Sequence, residues 1–227
     1  MNRRFFVLSL VLLLAFAGAG IVSAQSFSSG FGSMPSNAGT YGQWKSSSGR
    51  LFQNDVIQPL AKINFRAPQS GEMEYTFNVR YEGGGMEDRR AGFGLQVFAD
   101  RVNPGRSWGN GDSYLLWLNY DENATYGGKG FRGQVYKSRN HFTMSLLEGF
   151  DVPLDDSVLT EDNLRVIVPV KIRVNGATGE VKIWDPTAEN RYYSFMLDRA
   201  PGTGSYIALR SNSMAVSFDD LVVRKIR

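Results

Sequence analysis

The chain has 227 residues, no cysteine, a single histidine (His141), and 25 basic against 22 acidic side chains. Without cysteine there is no disulfide framework, no thiolate metal site and no thiol nucleophile, and one histidine excludes a His₂ or His₃ metal centre while leaving carboxylate-only metal sites open. A net charge of +3 and a pI near 9.1 look mildly basic, so the placement of the arginines decides whether a polyanion is implied.

Residues 1–24 read as a secretory signal peptide. Arg3 and Arg4 supply the positive start, residues 5–16 (FFVLSLVLLLAF) the apolar core, and Val22-Ser23-Ala24 a small-residue cleavage site before Gln25. A retained membrane anchor is the rival reading, because residues 5–22 approach the shortest span. Gly18-Ala19-Gly20 and the cleavage site favour removal, with no membrane insertion afterwards. A lipoprotein would need a cysteine after the site. The Arg-Arg pair lacks the rest of the twin-arginine pattern, which favours the general secretory route. Removing Arg3 and Arg4 leaves 23 basic against 22 acidic side chains. No basic cluster remains, so nucleic acid loses its electrostatic argument. Export without cysteine fits a bacterial periplasm or secretion, and makes the Asn123-Ala124-Thr125 sequon accidental.

Residues 25–40 are polar and glycine-rich, and read as a flexible lead-in to one domain over 41–227. Within that domain the period is 2 almost throughout. Along 72–81, Met73, Tyr75, Phe77, Val79 and Tyr81 face one way. Along 91–99, Phe93, Leu95 and Val97 oppose Gly94, Gln96 and Phe98. Along 113–120, Tyr114, Leu116, Leu118 and Tyr120 oppose Leu115, Trp117 and Asn119. Residues 170–175, 181–184, 192–197, 205–210 and 215–226 continue the series. Turn signals separate them: Gly83-Gly84-Gly85, Asn103-Pro104-Gly105, Asn110-Gly111-Asp112, Gly127-Gly128, Asn175-Gly176 and Pro201-Gly202. No amphipathic helix follows the signal. About a dozen strands in one domain predict an all-β, two-sheet antiparallel sandwich or a barrel.

Several stretches, taken in order, carry a family resemblance. They are Trp44 with Ser48-Gly49-Arg50-Leu51-Phe52-Gln53, then Gly92-Phe93-Gly94-Leu95-Gln96-Val97, then Asp112-Ser113-Tyr114-Leu115-Leu116-Trp117-Leu118, and Phe131-Arg132-Gly133-Gln134-Val135-Tyr136. Lys171-Ile172-Arg173-Val174-Asn175-Gly176 follows. The closing pair is Gly204-Ser205-Tyr206-Ile207-Ala208-Leu209-Arg210 with Val216-Ser217-Phe218-Asp219-Asp220-Leu221-Val222-Val223. Together they resemble the concanavalin A-like (laminin G-like) lectin/glucanase jelly roll; the resemblance covers nearly all of the chain after the signal and implies a jelly-roll sandwich. That superfamily contains lectins, hydrolases and structural modules, so the site must decide function.

Glucanases of this fold carry E-x-D-x-(x)-E on one strand, which alternation turns toward the cleft. That motif is absent here. Glu72 and Glu74 share a strand face, but Thr76 stands where a third acid belongs, and a solvated outer face is expected. The acidic runs Asp155-Asp156 and Glu161-Asp162 read as solvated loop charge. His141 has no nucleophile motif beside it, and Gly127-Gly128-Lys129-Gly130 lacks the ending and helix of a phosphate loop. Sugar binding needs less: an aromatic face for the C–H face of a pyranose, and amides or guanidinium groups for its hydroxyls. With the aliphatic partners inward, Gln96, Trp117, Asn119, Gln134, Tyr136, Trp184 and Arg210 are the outward candidates, and Trp108 a rim contact. The alternative for Trp117 and Trp184 is packing beneath loops. By resemblance, Asp219 is the candidate ligand of a structural calcium, with backbone hydrogen bonding as the alternative.

Three functions remain open at this level. The favoured one is an exported, non-catalytic module that binds a carbohydrate or another envelope polymer. The second is a structural assembly subunit with protein partners, a use that flagellar-sheath proteins of spirochaetes resemble. The third is an atypical glycoside hydrolase using Glu72, Glu74 or Asp112.

Overall fold

The computed structural model describes residues 25–85, 89–154 and 161–227. The expected signal peptide and the Asp155-Asp156 pair lie outside these residues. Two antiparallel sheets form a sandwich. The first runs in the order β13 (Tyr192–Met196), β12 (Glu180–Trp184), β11 (Val168–Asn175), β6 (Glu72–Gly84), β15 (Met214–Lys225), β4 (Arg50–Gln53), β3 (Trp44–Ser47). Strand β1 (Gln25–Ser29) also pairs with β15, beyond the stretch that pairs with β4. The second sheet runs β10 (Met144–Pro153), β9 (Arg132–Ser138), β8 (Ser113–Asn119), β7 (Gly92–Ala99), β14 (Thr203–Asn212), β5 (Ala61–Ser70), β2 (Gly39–Tyr41). The one described helix, α1 (Glu161–Leu164), has four residues.

The alternation builds the core. Met73, Tyr75, Phe77, Val79 and Tyr81 of β6 face Phe93, Leu95 and Val97 of β7 across the sandwich in one buried cluster. Phe218 joins the layers, with ring centroids 6.0 Å from Phe77 and 6.4 Å from Phe93. Burying each such ring contributes about 1.5–3 kcal/mol.

Two expectations change. Residues 25–40 are part of the sandwich: β1 pairs with β15, β2 pairs with β5, and Phe31 is buried against Phe65. An apolar residue every few positions suffices once neighbouring strands offer free edges. Phe98 does not oppose Leu95 and Val97 but joins them in the core. The register between β14 and β7 slips there, with Tyr206 opposite Ala99 and Ala208 opposite Gln96. Phe98 takes φ of 55° at that bulge, and the extra residue returns its side chain to the inner face. Asp220, at φ of 49°, marks a second bulge in β15, its own side chain staying exposed. Phe218 and Leu221, three apart, therefore both enter the core.

Candidate functional site

The face of the seven-stranded sheet that points away from the core is where the expected binding residues converge. One rung of paired residues crosses it: Asp151, Gln134, Trp117, Gly94, Arg210, Lys62 and Tyr41, from β10 to β2. The rung on one side holds Tyr136, Leu115, Gln96, Ala208 and Asn64. The rung on the other holds Arg132, Asn119, Gly92 and Asn212. Glycines stand at 92 and 94 because the indole of Trp117 lies over both. A Cβ at Gly92 would meet the ring at 2.5 Å, and one at Gly94 at 3.0 Å.

Loop 100–112 folds over part of this face and is pinned by it. Lys62 Nζ donates to the Ser107 carbonyl (3.2 Å), to Asn110 Oδ1 (2.9 Å) and to Ser107 Oγ. Asn110 Nδ2 donates to Asn64 Oδ1 (2.6 Å), and Arg210 Nη1 to the Trp108 carbonyl (2.6 Å). Beside this loop a cleft of about 490 Å³ remains open, lined by Trp108, Trp117, Asn119, Tyr136, Arg210 and Asn212 with Arg89, Arg90, Leu115, Tyr126, Phe142 and the start of β10.

At the cleft floor, Arg210 is 1% exposed. Its Cζ lies 5.3 Å from the Trp108 ring centroid and 5.7 Å from that of Trp117, and Nε donates to Asn212 Oδ1 (3.1 Å). Burial drives its guanidinium down to about 9, still cationic at neutral pH. Burial, with Arg210 next to it, brings Lys62 down to about 7. Tyr136 donates its hydroxyl to Gln134 Oε1 (2.9 Å), and burial, with the Asp151 charge nearby, pushes it up to about 12. Asp151 itself is held by Arg132 (2.6 Å) and Gln134 (2.9 Å). Burial raises its carboxyl, but these bonds outweigh that and keep it below the usual range.

No family model and no curated protein matches the sequence. Solved structures do match in fold. The VIP36 exoplasmic/lumenal domain, in a form bound to Ca²⁺ and Man2, is 14% identical with a TM-score of 0.60, over 87% of this chain and 86% of that one. A lectin from Bauhinia forficata in complex with GalNAc is 11% identical with a TM-score of 0.56, over 89% and 97%. The carbohydrate-binding module CBM66 from Bacillus subtilis is 12% identical with a TM-score of 0.54, over 83% and 95%. This chain shares the two-sheet β-sandwich fold of these domains.

Of the seven expected ligand residues, Trp117, Asn119, Tyr136 and Arg210 line the cleft. Trp117 is only 7% exposed, so it forms floor and not platform. Gln134 lies beneath Tyr136 as its partner. Gln96 is buried, with Nε2 on Ser113 Oγ at 2.7 Å. Trp184 sits on the opposite sheet, under Lys171 (4.5 Å) and Arg173 (5.0 Å). The exposed aromatics of the cleft are Tyr126 (64%) and Phe142 (76%), which with Arg89 and Arg90 escaped the sequence reading because loops, not strand alternation, bring them to the rim.

The acids settle into structural roles. Glu74 is 1% exposed, not solvated as expected. It accepts from Arg173 (2.8 Å) and from Arg224 Nε (2.8 Å), with Lys171 at 3.8 Å. Burial raises its carboxyl, and the two guanidinium groups more than reverse this. Glu72 faces Arg227 at 3.8 Å, and Asp112 pairs with Arg199. Asp219 faces Arg50 Nη1 at 3.6 Å and caps the Asp220 amide at 2.7 Å, while Asp220 accepts from Asn78. A guanidinium in the first contact of Asp219 does not fit a calcium ion, and the described residues hold no cluster of three metal-ligating side chains.

Proposed function

We propose that this chain is an exported, non-catalytic carbohydrate-binding module of the concanavalin A-like kind, taking its glycan in the cleft of the seven-stranded sheet. The observation that carries this reading is the cleft's composition: exposed aromatics at the rim, amides and arginines at the floor, and no carboxylate among its described lining residues. Rim aromatics stack on pyranose faces, and the polar floor recognises substituents. Hydrolysis needs an acid pair facing one cleft, and Glu72, Glu74 and Asp112 each face a cation elsewhere. The fold neighbours named above as lectins and a carbohydrate-binding module support the same reading. Affinity electrophoresis through polysaccharide gels and a glycan array test it: the wild type is retained by at least one glycan, and retention by none overturns it.

A second reading rests on a different surface. Strand β13 is an edge of the eight-stranded sheet and exposes Tyr192, Tyr193 and Met196, a patch of the kind that protein interfaces use. Co-purification of a stoichiometric protein partner, lost on Tyr193→Glu, marks this edge as an assembly surface.

A further inference from the structure

The cleft has a positive charge that no described carboxylate balances. Arg210 and Lys62 are directly paired neighbours on β14 and β5, and both are 1% exposed. Among the described residues, neither has a carboxylate partner. Every acceptor of Lys62 is neutral, as is every acceptor of Arg210: Asn212 Oδ1, the Trp108 carbonyl and a weak contact to Met144 Sδ. Among the described residues, Nη2 of Arg210 has no acceptor. Arg89 and Arg90 stand at the mouth of the same cleft, with no carboxylate partner among the described residues, and Arg90 shares the Trp108 ring with Arg210 (5.1 Å). Buried cations are ordinarily paired, because removing a charge from water is expensive. Elsewhere this chain follows that rule: Glu74 collects three cations, and Arg132, Arg50 and Lys137 each have an aspartate.

We propose that the glycan bound in this cleft is acidic, and that an oxyanion on its sugar, a carboxylate or a sulfate or phosphate ester, docks on the free edge of the Arg210 guanidinium. This inference rests on the glycan reading and deepens it. Trp108 and Trp117 hold the guanidinium plane in place, so its donors are oriented before the anion arrives. The bound anion supplies the countercharge missing beside Arg210 and Lys62. Arg89 and Arg90 draw the anion to the mouth. An acidic peptide carries the same carboxylate, but Tyr126 and Phe142 at the rim offer flat, exposed rings suited to a pyranose.

The test is binding of the full chain to polygalacturonate, its methyl-esterified form, dextran sulfate, dextran and poly-glutamate at 150 mM salt (roughly a Debye length of 8 Å). The inference expects binding to polygalacturonate or dextran sulfate, the arm that binds identifying the anion, and much weaker binding to the neutral counterparts. Arg210→Met then loses about tenfold or more in affinity, as for removal of a charge-assisted hydrogen bond, Arg90→Gln loses less, and Arg66→Gln, exposed and outside the cleft lining, loses nothing. Arginine Nε–H resonances of the wild type provide a reading that does not depend on the variants folding: the acidic sugar shifts that of Arg210. Neutral polysaccharide bound as tightly as acidic, Arg66→Gln as damaging as Arg210→Met, or an unmoved Arg210 resonance overturns the acidic ligand and leaves the glycan reading intact. Binding of poly-glutamate alone overturns both; binding of none of the five overturns the acidic ligand, and the glycan array then decides whether the glycan reading stands.

Discussion

Replacing Lys62 with methionine tests the charge argument without any ligand. The ammonium is held by neutral oxygens, with burial and Arg210 both against it, and its folded value falls from 10.5 to about 7. In the unfolded chain the group stays charged to about 10.5. Below pH 7 both states carry the proton and the full penalty of burying the charge is present. Between about 7 and 10.5 the unfolded state binds one more proton than the folded state, so stability rises with pH at up to about 1.4 kcal/mol per unit. Methionine fills a similar volume and has no proton to lose. The stability of Lys62→Met relative to wild type should therefore fall by roughly 2–3 kcal/mol between pH 7.5 and 9.5, after an advantage at pH 7 reduced by the oxygens of Ser107 and Asn110 left without a donor. Urea denaturation at four pH values across that window measures the difference, which cancels every group the two proteins share. Parallel stability profiles for the two proteins would refute the reasoning, because Lys62 would then titrate alike folded and unfolded.

Three other outcomes follow from the same structure. Glu74→Gln loses about 2–3 kcal/mol by urea denaturation at pH 7, below the usual value for a broken buried pair because Arg173 and Arg224 reach water; as the Glu74 carboxyl lies below its ordinary value, the wild type holds this contribution above pH 4.5 and loses it as pH falls further, so the two proteins converge in acid. Tyr126→Ala combined with Phe142→Ala weakens glycan retention in affinity gels by about tenfold while the melting temperature stays within 2 °C (about 0.5 kcal/mol), since both rings are exposed. Asp219→Ala lowers stability by about 1 kcal/mol or less, and the melting temperature of either protein is the same in calcium and in chelator, because Arg50 and the Asp220 amide already occupy the carboxylate.

The alternation of Tyr114, Leu116 and Leu118 against Trp117 and Asn119 is sufficient to assign faces, because a strand's period leaves only two choices. In this way the sequence alone determined the all-β class, most of the core, and the sharing of one sheet face by Gln96, Trp117, Asn119, Gln134, Tyr136 and Arg210. It did not reveal the bulges at Phe98 and Asp220, where one residue in a left-handed conformation reverses the alternation, nor the capture of residues 25–31 by the free side of β15. Face also differs from exposure. Loop 100–112 covers Lys62, Gln96 is buried against Ser113, glycines at 92 and 94 let Trp117 lie flat, and loops far apart in sequence bring Tyr126, Phe142, Arg89 and Arg90 to the cleft. Composition counted nearly equal numbers of acids and bases over residues 25–227. Only the tertiary structure decided that Glu74, Asp151 and Asp198 pair with other cations while Arg210 and Lys62 stay buried without a carboxylate among the described residues, because counter-ion pairing depends on distances of a few ångströms that a one-dimensional count does not contain.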